Sequence, residues 1–330
     1  MWRTAVQRHT HKILMHLAEA TPDAMHIAVA ADANYFDGVA ATVLSVARSN
    51  RGKPIHFHIL DGGLSSGQKR FLAKRLTCVE FHRLDMADRF THLPRDYGGS
   101  HMTYARVLIG SIIKLPRVLY LDSDLLIAGN IRPLWELEMG NAVAAAARDP
   151  GIQWLKNDLP FDAPDANEHE YFNAGVMLIN LDRWRAQQVE KNCLELLSRD
   201  PKRFRWWDQT AMNFLLKGQV KIVGAGWNRW AEAFDGPDAD PSEAAIYHFV
   251  GAAKPWTDFL LSRGHWVWHR FYDQHVRPWY HLLRRRSFVT SFLLQLRAAL
   301  LRRPSSPLAS PRSLLTTPPE IVTFVRERWS

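Results

Sequence analysis

The 330-residue sequence predicts an α/β fold, a Rossmann-like sheet with helices on both faces, from three observations. Short apolar runs alternate with stretches of helical period from Met25 onward. One of those runs ends in two closely spaced acids. A composition of 47% hydrophobic and 11% aromatic residues is enough for a sizeable core, which excludes a disordered chain.

The elements follow in order. MHIAVAA (25–31) is a strand-length apolar run that stops at Asp32. Beyond it, Val39, Val43, Leu44 and Val46 fall mostly on one helical face. IHFHILDGG (55–63) reads as a strand entering a turn, 65–76 as a helix and CVEFHRL (78–84) as a strand. This βαβαβ succession predicts parallel strands with right-handed crossovers, the mononucleotide-binding kind. TYARVLIGSIIK (103–114) reads as a helix broken by Leu115-Pro116. RVLYLDSDLLI (117–127) is a buried strand that carries Asp122 and Asp124 to its carboxyl end, where open α/β sheets bind ligands. Further strands are expected at 142–147, 171–181 and 246–251, and helices at 182–198 and 208–218. The chain divides into an N-terminal extension (1–24), one folded body (25–273) and a C-terminal basic amphipathic helical tail (274–330).

The net charge of +9 is unevenly placed. Gln274–Pro319 holds eight Arg and no acid, which leaves Met1–Asp273 near neutral. A polynucleotide groove needs positive charge spread over the folded body, so nucleic acid is not an expected partner. Within the tail, Trp279 and Tyr280 precede a triple-Arg cluster, and Phe288, Phe292, Leu296 and Leu300 share one helical stripe. The segment from Arg277 to Arg303 is too short in its apolar part to span a bilayer and suits the surface of an anionic membrane. Each basic residue there contributes about 1 kcal/mol. Residues 1–24 lack the apolar stretch of a secretory signal, and no segment reaches the roughly 18 apolar residues of a membrane span. The expected place is the cytoplasm, peripheral on the inner face of the cell membrane. Two distant cysteines, Cys78 and Cys193, make neither a disulfide framework nor a thiolate zinc site.

Asp122-Ser123-Asp124 places two carboxylates too close to ionise comfortably without a cation. Oxygen ligands suit Mg²⁺ or Mn²⁺, which can also bind diphosphate oxygens. His248 opens H-F-V-G-A-A-K-P-W (248–256); as a third ligand its imidazole favours Mn²⁺ over the harder Mg²⁺. Gly251 permits close backbone approach to a phosphate, and Lys254 supplies charge for it.

These motifs, with A-A-D-A-N-Y (30–35), T-Y-A-R (103–106), L-Y-L-D-S-D (119–124), F-N-A-G-V-M-L-I-N-L (172–181) and D-Q (208–209), resemble glycosyltransferase family 8. That family includes the galactosyl- and glucosyltransferases of bacterial lipooligosaccharide assembly, and glycogenin. The resemblance implies a GT-A fold and a retaining transfer of galactose or glucose from a UDP-hexose to a saccharide acceptor, possibly lipid-linked. It places Asp32 and Asn34 at the nucleoside, Arg106 at the donor sugar and phosphate region, and Ala30 and Ser123 among the residues that bind the donor. Asp122, Asp124 and His248 would hold Mn²⁺, while Gly251 and Lys254 would hold the diphosphate. Asn173, Asp208 and Gln209 would border the transferred sugar, and Asp149 an acceptor. Ala33 stands where relatives often carry an acid or amide.

An amide at Gln209 is a poor nucleophile, which favours front-face substitution; Asp208 keeps a double displacement open. Of the thirteen Trp, Trp135 and Trp184 sit at helical core positions. One or two among Trp154, Trp206, Trp207, Trp227, Trp230 and Trp256 are expected to pack on an acceptor sugar. The rival readings are a haloacid-dehalogenase type phosphotransferase, whose nucleophile sits on the opening strand unlike Asp122, and a non-catalytic saccharide-binding or membrane-associated scaffold.

Overall fold

A computed structural model describes residues 23–86, 90–96, 99–154, 171–231, 244–257, 263–278 and 319–329. The expected N-terminal extension lies outside these, apart from its last two residues. The strands are β1 (Met25–Ala31), β2 (Ile55–Asp61), β3 (Val79–Arg83), β4 (Arg117–Leu121), β5 (Leu125–Ile127), β6 (Ala144–Arg148), β7 (Phe172–Asn180), β8 (Val220–Val223), β9 (Arg229–Trp230) and β10 (Ile246–His248). The helices are α1 (Phe36–Ser49), α2 (Ser66–Ala73), α3 (Ile109–Ile112), α4 (Arg132–Trp135), α5 (Leu181–Ala186), α6 (Val189–Arg199), α7 (Trp207–Leu215), α8 (Arg263–His275) and α9 (Pro319–Trp329).

The parallel unit expected from the first three strands is present: β1 pairs in parallel with β2, β2 with β3, and β4 joins β1 on its other side. The full sheet runs β3-β2-β1-β4-β7-β6-β8 and is mixed, because β7 lies antiparallel to both β4 and β6. A second sheet of three short strands, β5-β10-β9, packs beside it. Apolar side chains from α1, α8, α9 and the small sheet cover one face of the large sheet, and those from α3 and α5–α7 the other. Ser65 starts α2 with a reciprocal capping box: its side chain accepts from Gln68 N, and Gln68 Oε1 accepts from Ser65 N.

Two expected helices break. Residues 103–114 form a 3-10 turn, Met102–Arg106, and only the single turn α3. Arg106 Nε reaches back to Thr103 O, and the Tyr104 hydroxyl donates to Pro94 O, so tertiary polar contacts take over where helical period predicted continuity. Residues 182–198 split into α5 and α6 at Gln188, whose φ of 52° is left-handed.

The boundary expected after Asp273 lies within a helix, α8, and Val276 beyond it is buried. The last helix, α9, belongs to the body: Trp329 is 1% exposed, its Nε1 donates to Ile127 O at 2.6 Å, and its ring meets Phe271 at 5.1 Å. Phe324 of the same helix lies edge-on to Tyr247 of β10. The basic segment between α8 and α9 lies, from residue 279 to 318, outside the described residues. Among those described, no helix is long and apolar enough to cross a membrane.

Candidate active site

The carboxyl end of β4 delivers Asp122 and Asp124 as expected, and β5 explains how His248 reaches them. The chain turns at Ser123 and continues as β5, whose first residue, Leu125, pairs antiparallel with His248 of β10. Phe249 N donates to Asp124 O at 2.9 Å, which fastens the two turns together. The ligand atoms of Asp122, Asp124 and His248 lie within 4.8 Å of one another. His248 Nε2 is 3.2 Å from Asp124 Oδ1 and 3.9 Å from Asp122 Oδ2.

Three features of this trio fit a cation. His248 Nδ1 lies 2.9 Å from Asn228 Oδ1, an acceptor, so Nδ1 carries the proton and the Nε2 lone pair faces the carboxylates. Asp124 Oδ1 is buried and has no hydrogen-bond partner. Gly175 leaves the space: a Cβ there would sit 2.3 Å from His248 Cε1 and 2.9 Å from Asp122 Oδ2. Two carboxylates and one imidazole are the donor set of a divalent ion such as Mn²⁺, with Mg²⁺ as the harder alternative.

Lys254 is 7% exposed and binds Asp124 Oδ2 at 2.5 Å and Phe249 O at 2.8 Å. Burial pushes the Asp124 carboxyl up, but the Lys254 ammonium outweighs it and holds it below the usual carboxylate range. Gly251, between His248 and Lys254, has φ +85°, a conformation that an L side chain would strain.

Arg106 is the second charged centre. Its Nη1 donates to Asp122 Oδ2 at 3.1 Å and to Ala174 O at 2.7 Å. Its Nε is 2.9 Å from Asp208 Oδ2, an ion pair without the alignment of a hydrogen bond. The Thr103 hydroxyl donates to the other Asp208 oxygen at 2.5 Å. Burial raises Asp208 to about 6, opposed by Arg106 and Thr103. Asp208 is thus a clamped partner of Arg106 on the first turn of α7. The residue before it, Trp207, has a φ of 46°, rare for a bulky side chain at a position bordering the cavity.

A chain of amides runs from His248 to Gln209. Asn228 Nδ2 donates to Asn173 Oδ1 at 2.8 Å, and Asn173 Nδ2 donates to Asp149 Oδ2 at 2.8 Å. Gln209 Nε2 donates to the same Asp149 oxygen at 2.8 Å, while Gln209 Oε1 accepts from Ala174 N at 3.0 Å. Each amide therefore has a fixed orientation.

Ala30, Arg106, Asp122, Ser123, Asp124, Asn173, Asp208, Gln209, His248, Gly251 and Lys254 all line one cavity of about 370 Å³. Asp149, Trp206, Trp207 and Trp230 join them. Asp32 and Asn34 do not. Asp32 caps the turn after β1, accepting from Asn34 N at 2.9 Å and from the Ser100 hydroxyl at 2.8 Å, and Asn34 is exposed. Trp256 is 3% exposed and packs edge-on to Tyr35, and Trp184 is equally internal, so both serve the core. Sequence reasoning missed three participants. Tyr35 borders the cavity, the Tyr120 hydroxyl donates to Asp122 Oδ1 at 2.9 Å, and Asn228 orients His248. Strand alternation could have found Tyr120, which points to the same face as Asp122.

The comparisons agree with this geometry. The chain is 30% identical over 249 residues, 71% of its length and 73% of the relative's, to the lipopolysaccharide 1,3-galactosyltransferase of Salmonella typhimurium. It is 27% identical to the lipopolysaccharide 1,2-glucosyltransferase of Escherichia coli K12, over 73% of this chain and 75% of the relative. The crystal structure of the galactosyltransferase LgtC with donor and acceptor sugar analogs superposes with a TM-score of 0.67 at 27% identity. That match covers 76% of this chain and 96% of that one. The mixed sheet is therefore of GT-A type. The model of glycosyl transferase family 8 matches residues 26–259, and the chain belongs to that family.

Proposed function

We propose that this glycosyltransferase moves galactose or glucose from a UDP-hexose to a saccharide acceptor, possibly lipid-linked, with retention of configuration. The observation that carries the reading is the convergence of the Asp122, Asp124 and His248 ligand atoms beside Lys254, Arg106 and Gln209 in one cavity. Mn²⁺ bound by the trio would neutralise charge on the departing diphosphate.

The chain's own residues do the remainder. Lys254 and the Gly251 turn bind and orient the diphosphate, and Ala30, Ser123 and Tyr35 border the nucleoside side. Positive charge there stabilises the leaving group more as its bond breaks than before, so it lowers the barrier. Arg106 holds Asp122 and Asp208 at fixed positions. Asn173 and Gln209, locked by Asp149, border the transferred hexose. The Gln209 amide lies where it can stabilise positive charge on the sugar, and the acceptor hydroxyl gives its proton to the departing phosphate oxygen. Asp208 is occupied by Thr103 and Arg106, which supports this front-face course over an ester on Asp208. Trp206 and Trp230 form the acceptor side; both rings crowd Gly151, whose added Cβ would meet them at 3.0 and 2.8 Å. Hydrolysis of UDP-galactose, UDP-glucose and their N-acetyl forms with Mn²⁺ tests the donor, and the anomeric NMR signal of the product tests retention. Absence of turnover with every UDP-hexose would return the protein to the scaffold reading.

We also propose that the segment from Arg277 to Arg303 attaches the enzyme to the inner face of the membrane. Its seven Arg and its stripe of Phe and Leu support this. Salt-sensitive sedimentation with anionic vesicles is the expected result; indifference to such vesicles at low salt refutes it.

A further inference from the structure

A second cluster of ligating side chains lies at the free edge of the parallel sheet, apart from the catalytic cavity. Residues two apart on a strand share a face, so His26 of β1, His56 and His58 of β2, and Glu80 and His82 of β3 all project from one side. The register sets His26 beside His56 and His58 beside Glu80. None of these residues lines the cavity in which transfer takes place.

The atoms converge. His58 Nδ1 and His82 Nε2 are 3.0 Å apart, and Glu80 Oε2 is 3.7 Å from each. A point equidistant from those three atoms lies about 2.0 Å from each, the bond length of Zn²⁺ to imidazole nitrogen or carboxylate oxygen. His58 turns its other nitrogen, Nε2, to His26 Nδ1 at 3.0 Å. When His58 Nε2–H donates to His26 Nδ1, the Nδ1 lone pair of His58 points at the site, the tautomer a ligating imidazole needs. His56 stacks on His58 with ring centroids 4.2 Å apart, and its Nε2 is buried without a hydrogen-bond partner, 3.8 Å from the same Glu80 oxygen. The Cys78 thiol sits 3.4 Å from the other nitrogen of His56.

Nothing in this arrangement serves packing well. Four imidazoles and a carboxylate occupy positions where a sheet face usually carries apolar side chains. The Glu80 side chain is about half exposed, which leaves the site open to an ion from solvent.

We propose that His58, Glu80 and His82 bind one divalent transition-metal ion of the Zn²⁺ class, with His26 orienting His58. Two imidazoles and one carboxylate favour such an ion, whereas the two carboxylates and single imidazole of the catalytic trio suit a harder one. The bound ion crosslinks β3, the edge strand, to β2. It clamps the unit that carries the nucleoside side of the cavity and takes no part in the transfer step.

The test uses the full chain, stripped of metal, with Asp124→Ala and His248→Ala in place to remove the catalytic trio. Titration with Zn²⁺ by calorimetry, and with Co²⁺ followed by visible absorption, should find one ion per chain, and Zn²⁺ should raise the melting temperature. Adding Glu80→Gln or His82→Gln to that background should weaken binding at least about tenfold and abolish the thermal shift; His26→Gln should weaken it by about tenfold through loss of orientation. Glu80 is exposed enough that its amide variant keeps the fold. Failure of the background protein to bind Zn²⁺, or binding unchanged by both Glu80→Gln and His82→Gln, overturns the proposal.

Discussion

Replacing Trp329 by alanine removes a side chain that is 1% exposed, sits one residue from the end of the chain, and closes the space between α8, α1 and the small sheet. Its indole packs against Phe271 at 5.1 Å and Phe324 at 5.9 Å. Its hydrogen bond to Ile127 O is the smaller loss, because that carbonyl also accepts from the Ser49 hydroxyl at 2.7 Å and stays satisfied. The cost is then chiefly that of a cavity, about 3–5 kcal/mol for a buried Trp. At about 2–4 °C per kcal/mol for a body of this size, the melting temperature should fall by about 6–20 °C. Differential scanning calorimetry of the full chain reads this directly, and Trp329→Phe should recover more than half of the loss. Deletion of α9 should match the alanine variant, so an enzyme cut after Asp273 is expected to lose stability as well as any membrane contact. A melting temperature within 1 °C of the parent for Trp329→Ala would refute the docking of α9.

Other outcomes follow from the site. Asp124→Ala and His248→Ala should each lower turnover at least about a hundredfold, as should excess chelator with the parent protein; Asp124→Ala should also lower the melting temperature, because it strips the buried Lys254 ammonium of its carboxylate, and full activity in chelator sinks the metal reading. Gln209→Ala should keep measurable transfer, whereas a sugar ester trapped on Asp208 by mass spectrometry would overturn the front-face course. Asp208 holds a proton in the folded state up to about pH 6, where an unfolded carboxyl has released it above about 3.8, so this group makes stability fall as pH rises across that window. The difference is worth about 3 kcal/mol. Asp208→Asn should flatten that part of the pH–stability curve measured by urea melts, and an unchanged slope would count against it.

The parallel unit was legible because each of β1 to β4 is a short apolar run with turn residues behind it, and local pattern and tertiary role agree there. Asp122 and Asp124 were legible for the same reason, as acids ending a buried strand. His248 was picked out by its place ahead of Gly251 and Lys254; only the β5–β10 pairing explains why it meets Asp124. Residues 103–114 misled because Thr103 and Arg106 bond across the cavity rather than along a helix. Asp32 and Asn34 were placed at the nucleoside by the resemblance; in the fold Asp32 also caps the turn after β1, a role that its short side chain fills locally. The amide chain through Asn228, Asn173 and Gln209 joins residues up to 60 apart, and no local period records such a contact. The histidine cluster did leave a trace, since H-F-H at 56–58 and E-F-H at 80–82 both repeat at the strand period. The docking of α9 could not be read, because a short amphipathic helix suits a protein face and a membrane face equally.

The bond between Lys254 and Asp124 makes the resting cavity self-occupied. An ion that binds through Asp124 Oδ1 competes for the carboxylate charge that holds the ammonium on Oδ2, and a buried ammonium short of charge favours a new anion. A diphosphate supplies it. Cation and nucleotide are thereby expected to be weak guests when offered singly and strong ones when offered together, with each raising the other's affinity by the same factor. Between turnovers the lysine would act as a resident counter-ion that keeps the centre neutral, and the protein would need no ion held in reserve.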